Sequence, residues 1–445
     1  MRSRWTLLAI PLLLGGFLAG CGDDDDEGAS TDDTTEDGGG GGGGEDTGSV
    51  NILFAGEPDE ASSLQEVIDE MINADAEYEA EFEASGNFEE QLQIRAEGGT
   101  LDLAAVPQPG AVQELAASGN LTSLEDLGFD MAELEEVFGE AFLALGEYEG
   151  EHYGLPTNIN LKSMVWYPKD DFDAAGYEIP ETWDDMLALS DQIVADGGTP
   201  WCVGFSSEGS TGWPATDWME DIVLRTAGAD VYDQWVAHEI PFDDPAIVTA
   251  AETFGEVLFK DGYVLGGAAS TVDIPFGDAP LPMFDEEPGC WLHRQASFID
   301  TFFPEDAEAG VDYDWFPLPP IDQEGILFAG ELTVVGSNGN RPEVKDFLEK
   351  FISDDVQCST GEAAARLSPN VNVGADCYGN DNLGRAAEVL AEANQAGTGR
   401  FDASDLMPAE VGSGSFWTGM VDYVQGGSAD RAAEVLAEIE ASWPS

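Results

Sequence analysis

The run Val50-Asn51-Ile52-Leu53-Phe54-Ala55, closed by Gly56, reads as a buried strand, and the fold follows from what comes after it. A helical stripe appears next at Leu64, Val67, Ile68, Met71 and Ile72. Tyr78-Glu79-Ala80-Glu81-Phe82 alternates as a strand, and Phe88 to Ala96 reads as a helix. Leu101-Asp102-Leu103-Ala104-Ala105-Val106 is a second apolar strand, stopped by Pro107 and Pro109. A further helix, about Ala111 to Ser118, ends at Gly119. Strands alternating with helices imply a parallel α/β sheet with right-handed crossovers.

The alternation returns later in the chain. Thr182-Trp183-Asp184-Asp185 is a capping box that opens a helix stopping at Gly197-Gly198. Ile326 to Gly336 is strand-like, and Pro342 starts a helix with Val344, Phe347, Leu348 and Phe351 as its buried stripe. A last helix is expected from Ala429 to Ser442. Between about Ser206 and Pro320 the chain is rich in Trp, Phe, Gly and Pro at irregular spacing, so loops are expected there. No internal repeat is visible.

The N-terminus is built differently. Arg2 and Arg4 precede an apolar stretch from Trp5 to Gly20, and Leu18-Ala19-Gly20-Cys21 closes it. A basic start, an apolar middle and small residues before a break make a secretory signal. The stretch falls short of the ~20 residues that span a bilayer. Residues 22–48 hold the acids Asp23 to Asp26 and the glycine run Gly38 to Gly44, and nothing larger than Ala29 to bury. They read as a solvated tether, about 30 Å long on average.

The 445 residues include 15 Lys and Arg against 90 Asp and Glu, a formal charge of −75. Setting aside Arg2, Arg4 and the acids of the tether leaves 13 basic against 79 acidic side chains, or −66 on the body. Such a surface excludes nucleic acid as a partner, because phosphate binding needs clustered Lys and Arg. The acid is spread along the body and suits a strongly solvated surface. Besides Cys21 there are four cysteines, Cys202, Cys290, Cys358 and Cys377, an even number that suggests two disulfides in an exported protein. Three pairings are possible. No CxxC spacing marks a zinc site. Only His152, His238 and His293 occur; HExxH, GxSxG and the GxxxxGK[ST] loop are absent, and no metal or cofactor is expected.

Several stretches resemble a known family. Cys21 after Leu18-Ala19-Gly20 resembles the lipobox of bacterial lipoproteins, which implies a lipidated N-terminal cysteine. Tyr153-Gly154-Leu155-Pro156 followed by Met164-Val165-Trp166-Tyr167-Pro168-Lys169 resembles the first interlobe crossing of extracellular solute-binding proteins of the maltose-binding type. Phe172 to Asp184, with its Gly176 and Pro180-Glu181-Thr182-Trp183-Asp184, is similar to the stretch that follows that crossing. Gly330-Glu331-Leu332 leading to Arg341-Pro342-Glu343-Val344, and the pair Phe416-Trp417, resemble the family's returning strand and C-terminal aromatics. Trp213-Pro214-Ala215-Thr216-Asp217-Trp218 and Cys290-Trp291-Leu292-His293-Arg294 look most like the α-glucoside-binding branch.

The resemblance implies an α/β fold of two lobes, periplasmic-binding-protein-like, with hinge strands between them. On it, 1–20 is a lipoprotein signal and 21–48 the tether; 49–157 and 321–365 form the N-lobe, and 158–320 and 366–445 the C-lobe. It implies a monomer that captures a carbohydrate, an α-glucoside or other oligosaccharide, and delivers it to ABC transporter permease subunits, held to the membrane only by lipid. A secreted glycoside hydrolase and the same fold carrying a polyol are the alternatives; an adhesion lipoprotein would show repeats or a β-rich pattern, and neither is seen.

A pyranose has an apolar C–H face and a rim of hydroxyls, so its receptor needs flat aromatics and fixed polar groups. Trp213, Trp291 and Trp417 are the expected stacking residues, with Phe416 in support; core packing is the plain alternative for each. Glu57, Gln108, Asn158, Asn160, Lys162, Glu208 and Glu331 are the expected polar rim. Gln108 stands out because it follows a strand's carboxyl end, where open α/β sheets bind ligands. Asn158 and Asn160 fit hinge chemistry equally well, and Glu331 has many acidic neighbours in composition. The favoured cysteine pairing is Cys202 with Cys290, linking two segments beside one site, and Cys358 with Cys377, closing a short loop.

Overall fold

The computed structural model describes residues 48–444 except Glu57. The signal 1–20, Cys21, the tether up to residue 47 and Glu57 lie outside the described residues. Strand β1 (Ser49–Phe54) pairs in parallel with β2 (Glu79–Ala84) on one side and β3 (Leu103–Val106) on the other. The crossovers between them are the helices Pro58–Ile68 and Phe88–Glu97. Leu64, Val67 and Ile68 bury the first helix, which runs on into a wider turn, Asp69–Asn73, that keeps Ile72 inside. Every residue of β3 is buried, as a parallel strand covered on both faces requires.

Strand β4 is Leu121–Thr122, and β5 (Glu147–Tyr148) with β6 (Glu151–His152) makes a small hairpin. Strand β7 (Gly154–Leu161) leads directly to β8 (Met164–Pro168). Strands β9 (His293–Arg294) and β10 (Tyr313–Pro317) flank β8, giving the order β10-β8-β9. Strand β11 (Ile326–Gly336) returns to the large sheet, and β12 (Gly399–Phe401) adds to its edge. Among the described residues the large sheet runs β12-β11-β3-β1-β2, with β4 and β7 also on β11. The large sheet is the centre of one α/β lobe and the three-stranded sheet belongs to the other.

The crossing between the lobes is the β7–β11 pair. Its register shifts between Glu331 and Leu332, and such a bulge re-aims a side chain. Gly330 stands where a Cβ would lie 2.4 Å from the carbonyl oxygen of Asn158, so only glycine lets the strands meet.

Sequence and structure differ in the middle of the chain. In place of loops throughout, the helices Trp213–Ala227, Ala229–Val236 and Pro245–Leu258 form the centre of the second lobe. The helix Trp213–Ala227 is buried from Pro214 to Arg225, and its polar stripe, Asp217, Glu220, Asp221 and Arg225, faces ion-pair and hydrogen-bond partners inside the lobe in place of solvent. The last helix is shorter than expected, Ala432–Glu440, after a tight turn at Ala429–Arg431.

The structure bonds Cys202 to Cys290 and Cys358 to Cys377, with Cα atoms 5.4 and 4.8 Å apart. Both spans suit a disulfide. Among the described residues no helix is long and apolar enough to cross a membrane.

Candidate binding cleft

Three parallel neighbours end on one edge of the large sheet. Ala55 and Gly56 follow β1, Ser85 and Gly86 follow β2, and Pro107 and Gln108 follow β3. All six line a cavity of about 160 Å³. The carboxyl ends of parallel strands are where an open α/β sheet leaves room for a ligand, since the chain turns away there into its crossovers. Asn158 and Asn160 of β7, with Gly330 and Glu331 of β11, form the back wall. The second lobe supplies the opposite face through Trp213, Asp217, Phe276, Phe298, Asp405 and Trp417.

The aromatic side is a packed cluster. Trp213 begins its helix after Gly212, whose φ of 115° only glycine adopts readily. Its ring meets Phe276 edge-on at 5.2 Å and Phe298 at 6.1 Å. The ammonium of Lys162 lies 5.3 Å from the Trp213 ring centre. Trp417 sits where a turn of wider helix passes into the helix Trp417–Gly426.

Four buried polar atoms on this cavity have no hydrogen-bond partner among the described residues. They are Gln108 Oε1, Asn158 Oδ1, Trp417 Nε1 and Arg366 Nε. Gln108 is 6%, Asn158 3% and Trp417 5% exposed. Buried polar groups are nearly always satisfied, so a concentration of such atoms around one cavity marks a place for a hydrogen-bonding ligand. Their remaining bonds hold them in place. Gln108 Nε2 donates to Glu89 at 3.3 Å, and Asn158 Nδ2 to Asn160 Oδ1 at 3.4 Å.

The floor is charged. Lys162 Nζ donates to Asp217 at 2.8 Å and Asp402 at 2.6 Å, all three side chains being buried. Burial works against the ammonium, but Asp217 and Asp402 outweigh it and raise its pKa. Burial likewise works against an ionised Asp402, yet the charge and hydrogen bond of Lys162 hold its pKa down to about 2. One lysine cannot neutralise every acid here. Burial pushes Asp217 up to about 6, despite Lys162 and Arg294, and lifts Glu220 and Asp405 well above the carboxylate range. Glu220 accepts from the backbone N–H groups of Ala403 and Ser404, at 2.8 and 3.1 Å.

The structure brings Trp213, Trp417, Gln108, Asn158, Asn160, Lys162 and Glu331 together around this cavity. Two expected residues stand elsewhere. Trp291 is outside the cavity, its ring edge-on to Tyr177 at 5.1 Å and set against Gly198. Its chain neighbours Cys290 and Leu292 are wholly buried, while Trp291 lies in a bend and packs beside Tyr177. Glu208 is exposed at the rim, facing Gly86, while Ser207 and Ser210 beside it line the cavity. Lys162 and Glu331 reach the cavity but are engaged by protein, Glu331 by Arg366. Reading the sequence missed Phe276, Phe298, Glu89, Arg366 and Asp405. The first two lie in irregular chain with no periodicity, and an acid in a helix's first turn, such as Glu89, is ordinarily a capping residue. Among the described residues no group of His, Cys, Asp and Glu is placed to hold a metal ion.

Comparison with known proteins agrees with this geometry. The bacterial extracellular solute-binding protein family matches residues 55–357. The alpha-glucosides-binding periplasmic protein AglE of Rhizobium meliloti (strain 1021) is 41% identical over 379 residues, 82% of this chain and 81% of that one. The osmoprotective compounds-binding protein GgtB of Synechocystis sp. is 40% identical over 370 residues, 82% of this chain and 86% of its own. Among solved structures, the bacterial solute receptor AcbH superposes with a TM-score of 0.77 at 17% identity, covering 89% of this chain and 98% of that one.

Proposed function

The chain belongs to the bacterial extracellular solute-binding protein family, and from that premise we propose that its cleft captures a sugar, an α-glucoside or another oligosaccharide, for an ABC permease. The observation that carries this is the set of unpartnered polar atoms beside an aromatic wall. A hydroxyl both donates and accepts. A polyhydroxylated ring can therefore donate to Gln108 Oε1 and Asn158 Oδ1 and accept from Trp417 Nε1 in one pose. Its C–H face suits Trp213 and the phenyl rings behind it. Asn160 takes part through Asn158, and Lys162 and Glu331 fix the floor and wall rather than the ligand.

We assign residues 49–157 and 321–365 to one lobe and 158–320 and 366–445 to the other, with closure hinging on β7 and β11. The chain is read as a monomer tethered through a lipidated Cys21, and Glu57 as a further rim residue on the loop after β1. Detergent phase partitioning tests the anchor: Cys21→Ser should move the protein to the aqueous phase.

Isothermal titration of the full chain with maltose, sucrose and trehalose tests the cargo. Saturable binding with no release of reducing sugar is the expected result. Turnover would restore the hydrolase reading, and silence toward all three would refute sugar capture of this class. Similarity to GgtB supports a second cargo, an osmoprotective compound, which belongs in the same panel.

A further inference from the structure

The cleft's charges are unevenly matched. Two cationic side chains line it, Lys162 and Arg366. Lys162 is engaged by Asp217 and Asp402, and Arg366 by both carboxylate oxygens of Glu331. Both charges are therefore already balanced by acids, and what remains open to a ligand is one N–H, Arg366 Nε, on a guanidinium that Glu331 neutralises. Against them, Glu89 lines the cavity with neutral partners alone among the described residues. It accepts from Gln108 Nε2 at 3.3 Å and from Ser210 Oγ at 3.0 Å. Ser210 comes from the second lobe and Gln108 from the first, so this carboxylate sits where the two walls meet. Asp405 faces the same space from the other wall, its pKa lifted by burial and by Asp402. Placing an anion beside an uncompensated carboxylate in a partly buried site is strongly disfavoured.

We infer that the cleft selects for net charge: it takes neutral polyhydroxylated solutes and rejects their carboxylated or phosphorylated counterparts, with Glu89 as the determining residue. This rests on the sugar-binding reading and goes beyond it by naming which sugars are refused. Recognition works through groups that neutral hydroxyls satisfy, namely Gln108 Oε1, Asn158 Oδ1 and Trp417 Nε1. An acidic substituent would need an uncompensated cation, and both cations of the cavity are already paired with acids.

The surface charge of the body repels anions as well, so the test must separate the two effects. Long-range repulsion is screened within about 3 Å at 1 M salt, whereas a charge in a closed cleft is screened far less. The full chain is titrated calorimetrically in 1 M KCl with maltose, sucrose and trehalose. Each sugar that binds is then compared with two derivatives in which one hydroxymethyl group becomes a carboxylate or a carboxamide. The carboxamide keeps the shape and drops the charge. The carboxylate should bind at least about a hundredfold more weakly than the carboxamide, as expected for one close like-charge contact in a partly buried site. Glu89→Gln should shrink that ratio at least about tenfold. Glu89→Ala, which removes the charge by another route, should do the same, with thermal melts confirming that both variants fold. A wild-type ratio under about threefold overturns the proposal while leaving sugar capture intact. So does a ratio unchanged in both variants, or refusal of carboxamide and carboxylate alike, which would make shape the filter. Failure of every neutral sugar to bind removes the sugar reading and this inference with it.

Discussion

Replacing Lys162 with methionine isolates what the lysine does. Its ammonium lies 2.8 Å from Asp217 and 2.6 Å from Asp402, and neither carboxylate is more than 1% exposed in its side chain. Methionine keeps much of the volume and removes the charge. Breaking a buried pair by deleting one partner costs about 3–5 kcal/mol, because the other charge is left buried and alone. The structure gives a second route to the magnitude. Lys162 is what holds Asp402 at about 2, below the ordinary 3.8. A carboxyl with a depressed folded pKa contributes stability that is present above its unfolded value and lost as pH falls through the folded one. Returning Asp402 merely to its ordinary value removes about 2 kcal/mol at pH 7. Asp217, deprived of the same partner, adds to that.

The deficit must depend on pH. Without Lys162 the pKa values of both aspartates rise, so the variant binds more protons when folded than when unfolded. Its stability then falls as pH climbs from 4 toward 8. Urea unfolding at a series of pH values is the assay. The expected result is a loss of about 3–5 kcal/mol at pH 7 that narrows at pH 4. A loss below about 1 kcal/mol at pH 7, or one flat between pH 4 and 8, would refute the assignment of Lys162 to the scaffold.

Three further outcomes follow from the structure. Removing the Cys202–Cys290 bond, which closes 88 residues, should cost more than removing Cys358–Cys377, which closes 19; chain entropy gives about 4–5 against about 3 kcal/mol, and denaturant unfolding of the two serine pairs checks the order. Burial lifts Asp300 to about 7, against the pull of its Asn380 contact, so its contribution is present below 3.8 and fades as pH rises through 7. Asp300→Asn should remove that slope, worth about 4 kcal/mol between pH 4 and 8, and matching slopes in the two proteins would contradict it. Trp417→Phe removes one indole N–H and keeps a ring, so sugar affinity should drop about 5- to 30-fold with little change in melting temperature; unchanged affinity would take Trp417 out of the ligand shell.

The α/β alternation was legible because parallel strands covered on both faces write themselves as unbroken apolar runs. Ile52-Leu53-Phe54 and Leu103 to Val106 are such runs, and both are buried. The place of Gln108 on the cavity was legible for a related reason: an open α/β sheet leaves its room at the carboxyl ends of its strands. The helix Trp213–Ala227 was not, because it lies among Trp, Gly and Pro at irregular spacing and its charged stripe, Asp217, Glu220, Asp221 and Arg225, is buried in ion pairs and hydrogen bonds and not turned to solvent. Trp291 shows a different limit. Its neighbour Cys290 does join the segment to Cys202, but linkage fixes where a backbone goes and not which way one ring turns. Phe276 and Phe298 come together with Trp213 only through tertiary packing of segments far apart in the chain.

The pairing of Lys162 with acids of the cleft has a physical cause that bears on the site as a whole. Outside the N-terminal segment the chain has 13 basic side chains, and Lys162, Arg225, Arg294 and Arg366 are all buried and paired with acids. From the cleft floor the pairs run on continuously. Lys162 meets Asp217; Arg294 spans Asp217 and Asp221 at 3.3 and 3.1 Å; Arg225 meets Asp221 and donates to the Leu318 carbonyl at 3.0 Å. Ser163 Oγ donates to Asp221 at 2.8 Å and accepts from the Leu327 N–H at 2.7 Å, which ties the chain to β11. The central helix and the strands β9 and β11 are thereby locked to one another beneath the cavity, around the turn from β7 into β8. A network in which each charge depends on the next is a poor source of stability, since burial costs each ion heavily, but it leaves few alternative arrangements. That is what a receptor floor needs: groups held in place before the ligand arrives, so that binding does not have to order them. A cation in this chain is therefore more telling as a sign of where the scaffold is fixed than of what the cargo carries.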